Sequence, residues 1–257
     1  MVCLYTLFIG IALIASAVLV WATGGDWRAV LPALINGSIA KPGRWGQTLT
    51  EAAPLLLVAL GAIVATRMNL VNIGQEGQLL IGAASAAMIA TRGSGIFILI
   101  FSILIGALGG AIWSSVAAVL KYWRKVPEVV STLLMVFNAT QFTGFLLTKK
   151  SLLLDRSADR PNKTQTSGQL AANTRLPYIH IFGNDISIAV PISVCIALIV
   201  VFLLNRTIWG FKLDMVGMNA RVAQRFGVSE RSAGIIALAI GGALAGLAGS
   251  FMFTSGT

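Results

Sequence analysis

Charged side chains are scarce in this sequence. They make up 11% of the 257 residues, whereas hydrophobic residues make up 56%, and the mean hydropathy is +0.84. A soluble globular domain carries about 25% charged residues. So few charges cannot cover a water-exposed surface, which excludes an ordinary soluble domain and favours a chain that lies in a lipid bilayer.

Histidine and cysteine are nearly absent. His180 is the single histidine, and Cys3 and Cys195 are the two cysteines. The cysteines lie in or beside apolar segments, without the spacing of a disulfide or a metal site. Phosphate-loop, zinc-protease and serine-hydrolase motifs are missing as well. The sequence therefore predicts no metal, no cofactor and no enzyme activity, so that any nucleotide hydrolysis would occur on a separate protein.

Basic residues outnumber acidic ones, with a formal net charge of +10. They are spread between apolar runs and form no continuous patch, which argues against nucleic acid as a partner. Lys and Arg in this arrangement are typical of loops on the cytoplasmic side of a membrane protein.

Long apolar runs account for most of the remaining sequence. A run of about 20 apolar residues is long enough to cross the hydrocarbon core of a bilayer as a helix. A helix can do so because all of its backbone hydrogen bonds form within the same segment. The predicted fold is all-α, a polytopic helical membrane protein forming one domain over 1–257. The first run could be a cleaved signal peptide, but it lacks a basic start and other spans follow, so we expect an uncleaved helix. The seven predicted spans are 4–22, 48–66, 69–91, 95–120, 128–148, 186–204 and 232–254.

The distribution of Lys and Arg sets the predicted orientation. Segment 205–231, the basic residues of 121–125 and Arg67 fall on one side if the helices alternate. This side is predicted to be cytoplasmic, together with the N-terminus. Segments 23–47 and 149–185 are then external, the second as a long, irregular polar loop.

The polar stretch "VNIGQEGQ" interrupts the third span. If it is helical, Asn69, Asn72 and Glu76 form one polar stripe, with Gly74 and Gly77 on the other side. Polar, glycine-interrupted helices line substrate sites in transporters. The alternative is that Glu76 lies near the cytoplasmic end and caps the helix or pairs with a base such as Arg67.

Two further polar patterns allow more than one interpretation. Asn138 and Gln141 share a face of the fifth span and would line the pathway or bond to a neighbouring helix. Small residues recur every fourth position at Gly242, Gly246 and Ser250, which predicts close helix packing.

Segment 205–231 contains helix signals that a simple connecting loop would not require. Residues 219–227 are predicted to form a short amphipathic helix that Gly217 precedes and Gly227 closes. Such a helix suits docking into a groove of a soluble partner; the alternative is an interfacial helix held by anionic lipids. The predicted apolar face of this helix comprises Val222, Ala223 and Phe226, and the opposite, basic face comprises Arg221 and Arg225.

The stretches "MNLVNIGQEGQLLIGA" and "TIWGFKLDMVGMNARVAQRFGVS" closely resemble permease subunits of bacterial ABC importers for nucleosides. "VPEVVSTLLMVFNA" and "ALAGLAGS" also resemble this family, whose larger group includes ribose and branched-chain amino acid permeases. The resemblance implies a multi-pass protein of the bacterial plasma membrane. It also implies ATP-binding subunits, a second permease subunit and an extracytoplasmic substrate-binding protein as partners. Family members continue with further helices after the point where this sequence stops.

The resemblance also assigns roles to particular residues. It places a coupling segment for the ATP-binding subunit at 205–231 and a signature at Asn72, Gln75, Glu76 and Gln78, where Glu76 is expected to organise the broken helix more than to bind cargo. The candidate pathway or helix-break residues are Asn69, Asn72, Gln75, Glu76, Gln78, Asn138 and Gln141. The candidate coupling residues are Gly217, Asn219, Arg221, Ala223, Arg225 and Gly227.

The expected function is that of an ABC importer permease for nucleosides or related small polar solutes, driven by ATP hydrolysis on partner subunits. A simple sugar is the alternative cargo on the same scaffold. A different class, an ion-coupled secondary transporter, would use Glu76 as its ion site. A membrane scaffold without transport is a third alternative.

Overall fold

Ten α-helices, two 3-10 turns at Trp27–Ala29 and Ala172–Thr174, and one short hairpin make up the regular structure of the described residues. The computed structural model describes residues 2–37, 41, 43–148, 153, 167–168, 170–181 and 183–256. The helices are α1 Val2–Ala22, α2 Val30–Ile35, α3 Arg44–Thr66, α4 Gln75–Ala90, α5 Ile96–Arg124, α6 Glu128–Leu146, α7 Ala189–Arg206, α8 Ile208–Met218, α9 Ala220–Arg225 and α10 Glu230–Ser255. Strands β1 Tyr178–Ile181 and β2 Asn184–Ser187 pair into a two-stranded sheet.

Six of the helices are long and apolar enough to cross a bilayer: α1, α3, α5, α6, α7 and α10. Each coincides with a predicted span to within a few residues, which confirms the helical membrane fold. The remaining predicted span, 69–91, contains α4, a helix of 16 residues. At 1.5 Å per residue this helix is about 24 Å long, short of the ~30 Å hydrocarbon core.

The chain divides into two compact units. One comprises residues 1–49 and 179–186, and the other comprises 50–178 and 187–257. In the first unit, His180 Nδ1 lies 2.8 Å from Asp185 Oδ1 across the hairpin. The second unit contains most of the membrane helices and all of the candidate site residues.

Helix α10 forms the centre of the second unit, where it packs against α4 and α5. It is the most buried of the six candidate spans. Gly246 has its Cα against Gly82 of α4 and against Gly110 of α5, so closely that a Cβ at Gly246 would overlap the carbonyl oxygen of Gly106. Ser114 of α5 donates a hydrogen bond of 2.6 Å to the carbonyl oxygen of Leu238. The predicted small-residue packing is therefore confirmed.

The ends of α3 and α5 meet the 205–231 segment at one end of this unit. Arg67, after α3, forms an ion pair with Asp214 of α8. The Tyr122 side chain of α5 packs on Gly234 of α10, and the Arg231 guanidinium lies 5.1 Å from the centroid of the Trp123 ring. The three loops that the charge distribution placed on one side thus share one end, called here the α8 end.

The segment before α7 closes the opposite end of the same unit. The backbone N–H of Leu176 donates to the carbonyl oxygen of Thr254 at 3.0 Å, and Thr174 Oγ1 accepts from the N–H of Gly95 at 3.1 Å. The prediction of an irregular loop is wrong for the described part of 149–185, which contains a 3-10 turn at Ala172–Thr174 and most of the hairpin. Residues 149–152, 154–166, 169 and 182 of that loop lie outside the described residues.

Candidate functional site

The polar stretch lies in a break between two helices rather than within one. Helix α3 ends at Thr66 and α4 begins at Gln75. The stripe of Asn69, Asn72 and Glu76, which requires a continuous helix over 69–78, therefore does not form. Residues 67–74, called here the break, join α3 to α4.

Asn69 terminates α3. Its φ is +56°, in the left-handed region. The N–H of Asn69 donates to the Thr66 carbonyl at 2.9 Å, and the N–H of Leu70 donates to the Ala65 carbonyl at 3.1 Å. This pair of bonds is the Schellman arrangement, in which Asn is the usual substitute for Gly at the left-handed position.

Asn72 organises the start of α4. Its Oδ1 accepts a 3.0 Å hydrogen bond from the N–H of Gly74. Its amide also pairs reciprocally with that of Gln78, with both nitrogen–oxygen distances at 3.2 Å. Gln78 is almost fully buried, so Asn72 satisfies a side chain that water cannot reach.

Gly74 and Gly77 bring the beginning of α4 against α6. A Cβ at Gly74 would lie 2.9 Å from the carbonyl oxygen of Thr132. A Cβ at Gly77 would lie 2.9 Å from the Cα of Val136. The absence of a side chain at both glycines therefore allows α6 to approach the first turn of α4 closely.

The two residues between these glycines have different surroundings. Gln75 is 8% exposed, and its Nε2 has no hydrogen-bond partner among the described residues. A Cβ on Gly61 would lie 3.1 Å from that nitrogen, so the amide faces α3. Glu76 is exposed in the first turn of α4, where a carboxylate is favoured by the helix dipole.

Asn138 and Gln141 lie on an exposed face of α6. Asn138 Nδ2 donates to the carbonyl oxygen of Leu134 in its own helix at 3.1 Å. Within the described part of the chain, neither side chain bonds to a neighbouring helix, so that alternative is not what the structure shows. Phe137 and Phe142 are exposed on the same helix.

Arg67 links the break to two later helices, a role that the sequence did not reveal. Its Nη1 lies 2.9 Å from Asp214 Oδ2, and its Nη2 lies 2.7 Å from Asn205 Oδ1. The proposed pairing of Arg67 with Glu76 is therefore wrong. Only the opposite charges of Arg67 and Asp214 could have indicated their contact, and the two residues lie 147 positions apart in the sequence.

An open pocket of about 550 Å³ lies beside this ion pair. Its lining comes from the end of α3, from the break and from the last turns of α8. The pocket is therefore continuous with the segment that was predicted to contact a soluble partner. The lining residues are Thr66, Arg67, Asn69, Asp214, Gly217 and Met218.

The predicted short helix is present as α9, Ala220–Arg225. Asn219 caps it, since its Oδ1 accepts from the N–H groups of Arg221 and Val222 at 3.1 and 3.2 Å. Gly227 closes it with a φ of +77°. Asn219 also ends α8, so a single residue separates α8 from α9.

Two details of the predicted coupling residues need correction. Ala223 is fully buried against the rest of the unit, whereas Val222 and Phe226 are exposed, so the three do not share a face. Gly217 lies inside α8 rather than in a loop before α9, and its Cα packs directly against the Arg67 carbonyl oxygen. Helix α8 itself was not predicted, although Gly210, Leu213 and Val216 recur every third position on its buried side.

The outward side of α9 combines apolar and basic groups. Val222 and Phe226 are spaced four residues apart and are 42% and 74% exposed, and Met218, the last residue of α8, is 88% exposed. Arg221 and Arg225 are exposed beside them. An apolar row flanked by cations is the pattern of a short helix that enters a groove of another protein.

A family model described as the permease component of branched-chain amino acid transport systems matches residues 45–257. The chain belongs to this permease family. The match covers α3 to α10 and therefore includes the break, α8 and α9. It confirms the prediction of a multi-pass membrane permease rather than an enzyme.

Individual relatives extend this comparison. The guanosine ABC transporter permease NupP of Bacillus subtilis is 29% identical over 251 residues, which is 96% of this chain and 70% of NupP. The nucleoside ABC transporter permease NupB of Lactococcus lactis is 26% identical, over 79% of this chain and 57% of NupB. The glucose ABC transporter permease TsgB13 of Haloferax volcanii is 27% identical, over 79% of this chain and 55% of TsgB13.

The chain thus spans a little over half of the length of two of these three relatives. No solved structure matches the sequence.

Proposed function

We propose that this chain is a transmembrane permease subunit of an ABC importer that moves nucleosides inward. The observation that carries the proposal is the exposed α9, with Phe226 and Val222 flanked by Arg221 and Arg225 at the end of a bundle of membrane helices. This helix is the docking element for an ATP-binding subunit. The α8 end is accordingly the cytoplasmic end, and the 149–185 loop is external.

The relatives support nucleosides as the substrate class. NupP and NupB are named as guanosine and nucleoside permeases, and NupP matches nearly the whole chain. Nucleosides carry no net charge near neutral pH, so amide side chains match their hydroxyls and base edges. The amides of Asn138 and Gln141 on α6 are the proposed pathway groups.

The break has a supporting role in this proposal. Asn69, Asn72 and Gln78 hold the backbone of the break and the first turn of α4, and Glu76 favours that helix terminus electrostatically. Gln75, whose Nε2 has no hydrogen-bond partner among the described residues, is available for a further hydrogen bond. The carboxylate of Glu76 therefore organises the helix rather than binding cargo.

Three partners complete the proposed importer. An ATP-binding subunit binds α9, and an extracytoplasmic binding protein delivers the nucleoside at the opposite end. A second permease subunit packs beside the exposed face of α6, because Asn138 and Gln141 would be unfavourable against lipid. The importer alternates between outward and inward openings as the ATP-binding subunits close and reopen.

Reconstitution in liposomes tests the proposal. This chain is purified with an ATP-binding subunit, a second permease subunit and a substrate-binding protein from the same organism, and uptake of labelled guanosine, uridine and glucose is measured. We expect nucleoside uptake that requires both ATP and the binding protein. The matched control carries an ATP-binding subunit that cannot hydrolyse ATP.

Two outcomes favour other functions. Glucose uptake without nucleoside uptake supports the sugar alternative, which the similarity to TsgB13 favours. Uptake driven by an ion gradient in vesicles that lack the ATP-binding subunit would establish a secondary transporter and refute the proposal.

A further inference from the structure

Arg67 connects three elements at the α8 end. Its guanidinium binds Asp214 of α8 through Nη1, at 2.9 and 3.2 Å to the two carboxylate oxygens, and Asn205 at the end of α7 through Nη2 at 2.7 Å. The planar guanidinium can reach both partners at once, which a lysine ammonium could not do in this geometry. Arg67 therefore holds the end of α3 to the segment that contains α8 and α9.

A backbone contact adds to this side-chain link. The Cα of Gly217 packs on the carbonyl oxygen of Arg67, where any Cβ would overlap that oxygen. Helix α8 thus rests directly on the first residue of the break. Because only Asn219 separates α8 from α9, a displacement of α9 has a short, continuous path to Arg67.

The path continues from Arg67 to α4. Asn69 reverses the chain at the end of α3, with a φ of +56°. Asn72 then binds Gly74 and Gln78 in the first turn of α4. The backbone joins Arg67 to Asn72 over five residues, and the hydrogen bonds of Asn72 extend the connection into α4. Such a connected network can carry energetic coupling between two sites.

We infer that Arg67, held by Asp214 and Asn205, is the positioning residue that transmits movement of α9 to the start of α4. The inference rests on the proposed function, because it needs an ATP-driven partner at α9. Arg67 and Asp214 are each about one-third exposed, and partly exposed ion pairs contribute little to stability. The pair is thus expected to matter more for coupling than for folding.

The uptake of nucleoside per ATP hydrolysed, measured in the same proteoliposomes, tests this role. The variants are Arg67→Gln, Asp214→Asn and the reversed pair Arg67→Asp with Asp214→Arg. We expect both single variants to assemble with the partners and hydrolyse ATP, while uptake per ATP falls at least about fivefold, the lower range of allosteric coupling. The reversed pair should recover part of the loss because it restores the attraction.

Ser114→Ala is the matched control. It removes an interhelical hydrogen bond of 2.6 Å to Leu238 in the same unit, between α5 and α10 and away from α8. Its uptake per ATP should equal that of the wild type. An equal loss in this control would mean that any weakened helix contact uncouples the importer, which would overturn the specific role of Arg67.

Other results also decide the matter. Wild-type uptake of nucleoside per ATP hydrolysed in both Arg67→Gln and Asp214→Asn would overturn the inference. If Arg67→Gln does not assemble with the partners, Arg67→Lys and Asn205→Ala are tested instead, because each removes only the hydrogen bond between Arg67 and Asn205. Wild-type uptake per ATP in both of these variants would again overturn the inference. Absence of ATP-dependent uptake in the wild-type complex would instead refute the proposed function, so the two failures are distinguishable.

Discussion

At the scale of single residues, the amides of the polar stretch act on the backbone. Asn69 and Asn72 were predicted to share a polar stripe, but one terminates α3 and the other organises the start of α4. Asn is favoured at both kinds of position because it tolerates positive φ and its short side chain reaches the nearby backbone. The residue types were therefore informative, whereas the individual roles of Asn69 and Asn72 depend on where the helix breaks, which the sequence pattern does not specify.

Asn72→Ala should destabilise the second unit. The change removes three hydrogen bonds and leaves the Gln78 amide buried without a partner, which costs about 1–3 kcal/mol. The thermal unfolding midpoint of the detergent-purified protein should fall accordingly. Asn138→Ala is the matched control, since Asn138 is exposed and bonds only within its own helix. Equal midpoints for the two variants would contradict the structural role of Asn72.

At the scale of elements, the apolar runs were sufficient to predict the long helices. Their lengths and hydropathy are dictated by the bilayer, so sequence boundaries and structural boundaries agree closely. The sequence does not predict α8, because polar and apolar residues are mixed along it. The predicted span 69–91 begins before α4, because hydropathy alone does not separate the apolar residues of the break from those of the helix.

Gly246→Ala should be far more harmful than Gly144→Ala. Gly246 contacts the backbones of α4 and α5, so even a methyl group overpacks the interface, which costs about 1–3 kcal/mol. A Cβ at Gly144 of α6 has nothing within 4 Å, and alanine there should raise helix stability by about 0.5–1 kcal/mol. Thermal midpoints of the two purified variants provide the comparison. A Gly246→Ala protein as stable as the wild type would show that the helices can separate at little cost.

At the scale of the whole chain, the distribution of basic residues predicted which loops share an end of the second unit. It could not predict which side chains meet there. Arg67 and Asp214 lie 147 positions apart, and their contact depends on how α3, α7 and α8 pack. The same reason applies to Ala223, whose buried position results from the unit beneath α9 and not from the pattern of the helix itself.

Arg221→Glu should weaken copurification of the ATP-binding subunit. The side chain is exposed on α9 beside Val222 and Phe226, and reversing a charge at an interface places like charges together, which suppresses binding. Pull-down of the partner from detergent extracts at two salt concentrations measures the effect. Arg206→Glu, the same charge reversal at an exposed residue at the end of α7, is the control. Full recovery of the partner with the Arg221 variant would remove α9 from the docking surface.

The glycine packing around α10 has a consequence at the level of the gene. Every glycine codon begins with two guanines, so any single-nucleotide missense change replaces glycine with a residue that has a Cβ. At Gly82, Gly110 and Gly246, that atom would overlap the backbone of a neighbouring helix. No single-nucleotide missense change at these codons is therefore expected to be neutral. A change of amino acid at these positions would require a compensating change in a second helix.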